Sequence, residues 1–204
     1  MSYYARRNRA IEYLILANAL LFFLSFLLPE GIQMYLVLQP ATLLYTPWTL
    51  VTSMFMHASL SHIVFNMIAL FFFGTYLERI TSESDFLKVY FTGGIFAGLF
   101  YAFLAIAFGI PDPRIAALGA SGAISALLGA LIVLRPNLTV YFNFFFPMPL
   151  WIYGIVFLIW STSAGIAFTA HLGGLIAGLI FGYYFKRKMP YNPYASMYGS
   201  GYGY

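Results

Sequence analysis

The chain has 204 residues, 62% of them hydrophobic and 21% aromatic but only 8% charged, where an ordinary soluble domain carries about a quarter charged residues. That balance excludes a water-soluble fold, and the absence of cysteine excludes disulfides and thiolate metal sites. The net charge of +4 is explained below by orientation in a bilayer and not by nucleic-acid binding.

In chain order, a basic stretch over 1–10 with Arg6, Arg7 and Arg9 precedes an apolar run over 11–28. The run is about as long as a span needs and ends in Leu28-Pro29-Glu30-Gly31 without a small-x-small cleavage pattern, so it reads as a retained first span and not a signal peptide. Further runs near 58–77, 89–110, 115–134, 148–168 and 171–185 complete six predicted spans, which make one membrane domain over 11–188.

Between the first two spans lies a loop with Glu30, Gln33, Gln39, Pro40 and Pro47 among apolar residues. It is too apolar for a solvated linker, so an interfacial structure in the outer leaflet is expected, with Tyr45 and Trp48 as headgroup-level anchors. Residues 136–149, with Pro136, Pro147 and Pro149 among aromatics, read as an irregular interfacial connector. The tail over 189–204, rich in Tyr, Gly, Pro and Ser, reads as disordered and cytoplasmic.

Six spans put both termini on one side. Arg6, Arg7, Arg9, Arg79, Lys88, Arg135, Lys186, Arg187 and Lys188 then share that side, and Arg114 alone lies opposite. Positive-inside asymmetry makes that side cytoplasmic, giving a multi-pass protein of the cell membrane.

Polar side chains inside spans are costly and are functional candidates by default. Span two carries His57, His62 and Asn66, span four Ser121, and span six His171. All three spans enter from the outer face, and with entry near residues 57, 115 and 166 the helical rise of about 1.5 Å per residue puts His62, Ser121 and His171 each roughly 8 to 9 Å below it. His62 and Asn66, four apart, share one helical face. Taken singly, Ser121 and Asn66 also read as interhelical glue and His57 as an interfacial histidine. Glue gives no reason for one shared depth. Gly174, Gly178 and Gly182 form small-xxx-small steps on span six, as do Gly122, Ala126 and Ser125, Gly129 on span four. Two such helices can pack backbone to backbone and bring Ser121 Oγ within reach of the His171 ring, the geometry that nucleophilic catalysis requires.

These residues resemble the rhomboid protease family over Trp48 to about Gly182. The family's G-x-S-G motif stands as Gly119-Ala120-Ser121-Gly122, its H-x-x-G-x-x-x-G stretch as His171, Gly174 and Gly178, and its H-x-x-x-x-H-x-x-x-N stretch as His57, His62 and Asn66. The resemblance implies an all-α six-helix bundle and a Ser121–His171 dyad without an acid, cleaving transmembrane protein substrates near their outer ends with no cofactor. Two departures are Thr49 after Trp48, where relatives often have Arg, and Ser125, where some carry a tyrosine one turn after the serine.

The residues agree with that chemistry. None of the six acidic residues falls in a span at the level of Ser121, which argues against an aspartate-oriented triad. His62, the Asn66 amide and the Ser121 backbone N–H are the candidate oxyanion donors. A client-binding pseudoprotease of the same fold and a channel or transporter are the competing classes. There is no H-E-x-x-H zinc motif, and Asp85 and Asp112 fall on opposite sides, which excludes an aspartyl pair.

Overall fold

The structure is a computed structural model that describes residues 9–142, 145–163 and 167–188. The basic stretch is therefore described from Arg9 only, and the Tyr-rich tail over 189–204 lies outside the described residues.

The first helix, α1, covers Arg9–Ser25 and buries Ile11, Leu14, Asn18 and Phe22 along one stripe. Its other face exposes Tyr13, Leu16, Leu20, Phe23 and Leu24, an apolar surface that only lipid would solvate favourably. The following segment folds into two short helices, α2 (Glu30–Met34) and α3 (Thr49–Thr52), with a single 3-10 turn over Pro40–Thr42 between them and another over Ser53–Phe55. Exposed Tyr35, Leu44, Tyr45 and Trp48 stud its surface, and the Trp48 indole N–H donates to the Tyr35 carbonyl at 2.8 Å. Thr49, at the position of the frequent family arginine, is buried and donates its hydroxyl to the Thr46 carbonyl at 2.6 Å.

Helix α4 (Leu60–Ala69) runs through a π-turn at Leu70–Gly74 into α5 (Thr75–Ile80), so that Leu60–Ile80 is one 21-residue rod. Ser59 caps it, its hydroxyl accepting from the His62 N–H at 3.2 Å. The sequence pattern starts this span at His57; the cap starts it at Leu60, leaving His57 in the preceding loop. Helix α6 (Glu83–Phe108) is capped by Ser82, which accepts from the Asp85 N–H at 3.1 Å, and stops at Gly109 in the left-handed region.

Helix α7 (Ser121–Leu134) lies at the centre, and every residue from Ala123 to Leu131 is buried. After it comes a two-stranded hairpin, β1 (Thr139–Phe142) and β2 (Phe146–Pro149), where an irregular connector is expected. Val, Tyr and Phe favour the pleated conformation, and prolines are tolerated in a two-stranded ribbon because each strand has a free edge. Tyr141 faces Pro147 and Thr139 faces Pro149. Helices α8 (Leu150–Ser163) and α9 (Ala167–Lys188) complete the fold.

By length and composition Leu60–Ile80, Glu83–Phe108 and Phe168–Lys188 can each cross a bilayer, and Ser121–Leu134 and Leu150–Thr162 are shorter apolar helices. The protein is thus a largely helical membrane protein. Its tightest helix pair is α7 with α9. A Cβ added at Gly174 would run into the Gly122 carbonyl, one at Gly178 into the Ala126 carbonyl, and one at Gly182 would lie 2.7 Å from the Ala130 carbonyl. In the other direction, Gly129 meets the backbone of Leu175 and Gly178. Small residues at these steps let the two backbones touch.

Candidate active site

The sequence pattern carries the fourth span back to residue 115, but the helix begins at Ser121. The residues before it pair instead with the segment between α1 and α4. Leu38 and Ala117 exchange backbone hydrogen bonds at 3.0 and 2.7 Å, Gln39 Nε2 donates to the Arg114 carbonyl at 2.6 Å, and the Gly119 N–H donates to the Ser53 carbonyl at 2.8 Å. Gly119 has φ +112°, a conformation open to glycine, and a Cβ there would sit 2.8 Å from the His62 ring. Backbone pairing and this glycine therefore deliver Ser121 to the first turn of α7, where its own N–H has no intrahelical acceptor and the helix dipole is positive.

Ser121 Oγ lies 2.8 Å from His171 Nε2. The close α7–α9 contact sets this distance, because Gly174, one turn beyond His171, rests on the backbone of Gly122 and the Cβ of Ser125. His171 is buried at 7% exposure, and its other ring nitrogen, Nδ1, lies 2.8 Å from Ser161 Oγ on α8. Phe157, one turn earlier on α8, puts its ring centroid 5.0 Å from that of His171 at an interplanar angle of 32°. Ser125 donates to the Ser121 carbonyl at 2.7 Å and offers His171 no ring; Phe157 supplies the aromatic contact from a different helix. Sequence reasoning assigned no role to Ser161 or Phe157. Neither belongs to a motif, and only the crossing of α8 and α9 brings them to the histidine.

His62 and Asn66 stand on α4 on the far side of Gly119. Asn66 is buried, its Nδ2 has no hydrogen-bond partner, and that atom would lie 3.6 Å from a Cβ built at Gly119. The Ala58 N–H makes a long, 3.5 Å contact with His62 Nδ1, while His62 Nε2 faces Gly119. His57 donates from Nδ1 to the Phe55 carbonyl at 3.3 Å and packs edge-on against the His62 ring, 5.1 Å between centroids. The structure therefore groups Ser121 with His171, sets His62 and Asn66 against Gly119 in the segment leading into Ser121, and places His57 behind His62. Gly119 and Gly122 flank the serine, while Gly174 and Gly178 hold α9 against α7.

A serine hydroxyl within hydrogen-bond distance of an imidazole nitrogen can serve as a nucleophile, and an unpartnered amide such as Asn66 Nδ2 can donate to an anion. Outside it, Asp112 accepts from Arg114 Nε and Nη2 at 3.0 and 2.6 Å, and these bonds hold the exposed carboxyl down to about 2. Among the described residues, no cluster of His, Asp and Glu is arranged to hold a metal ion. Asp85 lies in the first turn of α6 and Asp112 in the loop beyond its C-terminal end, so a helix about 39 Å long holds them apart.

Residues 45–188 match the Rhomboid domain family model, and the chain belongs to the rhomboid family. It is 38% identical over 150 residues to RHOMBOID-like protein 12, mitochondrial, of Arabidopsis thaliana, covering 65% of this chain and 44% of that protein. It is 32% identical over 170 residues to Rhomboid protein 1, mitochondrial, of Saccharomyces cerevisiae, covering 78% and 47%. With Rhomboid protease GluP of Bacillus subtilis it shares 33% over 137 residues, covering 64% and 24%. The chain thus spans less than half the length of these relatives.

Proposed function

We propose that this protein is an intramembrane serine endopeptidase that hydrolyses peptide bonds in or near the transmembrane segments of membrane protein substrates. The observation that carries this reading is the 2.8 Å contact between Ser121 Oγ and His171 Nε2 at the head of a buried helix.

In this mechanism Ser121 Oγ attacks the scissile carbonyl carbon as its proton passes to His171 Nε2. Asn66, His62 and the Ser121 N–H donate to the oxyanion. The C–N bond then breaks, the imidazolium returns its proton to the leaving amine, and a serine ester remains. Water, deprotonated by the same nitrogen, hydrolyses the ester to a carboxylic acid and restores the hydroxyl. No carboxylate takes part, so the pair is a dyad.

The arrangement in the bilayer belongs to the same proposal. The helices α1, α4 with α5, α6, α7, α8 and α9 are six crossings of the cell membrane, with both termini on the cytoplasmic side, where nine of the ten basic residues lie. The segment between α1 and α4 rests in the outer interface. Helix α7, with 14 residues, is about 21 Å long, about 9 Å short of a hydrocarbon core of about 30 Å. With its C-terminus at the cytoplasmic face, Ser121 lies below the outer surface, and irregular backbone at that depth is tolerated where protein buries it or water reaches it. Ser121→Ala and His171→Ala are each expected to abolish cleavage of a membrane-embedded substrate in liposomes. Wild-type turnover by Ser121→Ala would sink the proposal.

A further inference from the structure

A dyad leaves one question that an acid answers elsewhere: what holds the imidazole in the tautomer that can accept a proton from serine. Here the hydrogen bonds of Ser161 answer it. Ser161 is 3% exposed, and its Oγ has two neighbours at 2.8 Å, the Phe157 carbonyl and His171 Nδ1. A hydroxyl has one proton to give and lone pairs to receive with, whereas a carbonyl oxygen can only accept. If Ser161 gave its proton to His171, its oxygen would face the Phe157 oxygen at 2.8 Å with no hydrogen between them. The proton therefore goes to Phe157, and the Ser161 oxygen accepts from Nδ1–H. With its proton on Nδ1, a neutral His171 has its lone pair on Nε2, facing Ser121. The protons form one directed chain: Ser121 O–H to Nε2, Nδ1–H to Ser161 Oγ, Ser161 O–H to the Phe157 carbonyl.

We infer that Ser161 is the positioning residue of this site, its hydroxyl taking the place of the triad acid by holding His171 in the Nδ1–H tautomer with Nε2 aimed at Ser121. The inference rests on the Ser121–His171 reading above. Ser161 touches no substrate and undergoes no net proton change. When Nε2 takes the serine proton, Nδ1–H keeps donating to the same oxygen, now from a cation, and a hydrogen bond from a charged donor is about twice as strong as a neutral one. Its contribution is thus larger in the transition state than at rest, so its loss lowers the chemical rate and not binding. The hydroxyl comes from α8, a different helix from the two that bear the reacting atoms.

The test uses the full chain in detergent and a fluorophosphonate, which reports on the serine without requiring a substrate. In Ser161→Ala the maximal rate of inactivation, kinact, is expected to fall about ten- to a hundredfold with KI unchanged. Ser161→Thr and Ser161→Val have the same shape, with and without the hydroxyl; threonine should restore most of the rate and valine should not. Wild-type kinact in Ser161→Ala or in Ser161→Val would overturn the inference. Where the substituted proteins do not fold, nitrogen NMR of the wild-type histidines decides, with His171 expected to be protonated at Nδ1 when neutral; an unprotonated Nδ1 would overturn it. Ser121→Ala separates the two levels: labelling that persists there condemns the dyad itself, whereas its loss alongside normal Ser161→Ala labelling condemns the role of Ser161 alone.

Discussion

Two helices meet His171 in different ways. Helix α9 packs on α7 through glycines at which an added Cβ would collide with a carbonyl oxygen of α7, so the Ser121–His171 distance is built into backbone contact. Helix α8 reaches the same histidine with side chains, the Ser161 hydroxyl and the Phe157 ring, while Trp151, Ile155, Ile159 and Trp160 stay exposed on its surface. The first contact sets a distance and tolerates no added atom. The second sets a ring orientation and can be trimmed by degrees. In a bilayer, where lipid is as apolar as the side chains, close backbone packing is what holds helices together, so the rigid element bears the separation of Ser121 from His171.

The sharpest way to break this contrast is Gly178→Leu, whose side chain cannot fit against the Ala126 carbonyl. Overpacking of this kind costs about 1 to 3 kcal/mol or more, and here it parts Ser121 from His171. Loss of fluorophosphonate labelling and a lower thermal midpoint in detergent are expected. Next comes Asn66→Ala, which leaves the α7–α9 contact and the ring of His171 untouched but removes a donor. Turnover should fall about 10² to 10³-fold, with residual cleavage measurable and labelling still confined to Ser121. Phe157→Leu, on the α8 side, should slow labelling by about three- to tenfold, the worth of one aromatic contact, with the thermal midpoint nearly unchanged.

The smallest effect belongs to Asp112→Asn in the loop before α7. The carboxyl titrates near 2 when folded and near 3.8 when free, so whatever its pairing with Arg114 contributes is present above about pH 4 and lost as the pH falls towards 2. The pair is fully exposed, and exposed ion pairs contribute little. Activity between pH 5 and 8 should match the wild type, and any difference in unfolding midpoint should vanish as the two proteins are compared at progressively lower pH.

Ser121, His171, His62 and Asn66 stand out in the sequence as candidates because a polar side chain is costly in an apolar run and therefore conspicuous there. The glycine steps were legible because small residues at intervals of four have one main use in membrane helices. Ser161 was not, since a serine inside an apolar span reads as interhelical glue, and the meaning of Ser161 lies in a crossing of helices that no spacing encodes. The apolar pattern begins six residues before α7 for a related reason. Apolar character continues through Ile115-Ala116-Ala117-Leu118, but pairing of Ala117 with Leu38, 79 positions earlier, and the left-handed turn at Gly119 take those residues out of the helix. The hairpin over Thr139–Pro149 was hidden by its prolines, which punctuate a sequence but fit the free edges of a two-stranded ribbon.

The most direct measurement is to label the purified protein with a fluorophosphonate and locate the adduct by peptide mass spectrometry. A single adduct on Ser121, lost in His171→Ala, is the predicted result. An adduct on another serine, or labelling of Ser121 at the wild-type rate in His171→Ala, would contradict the account.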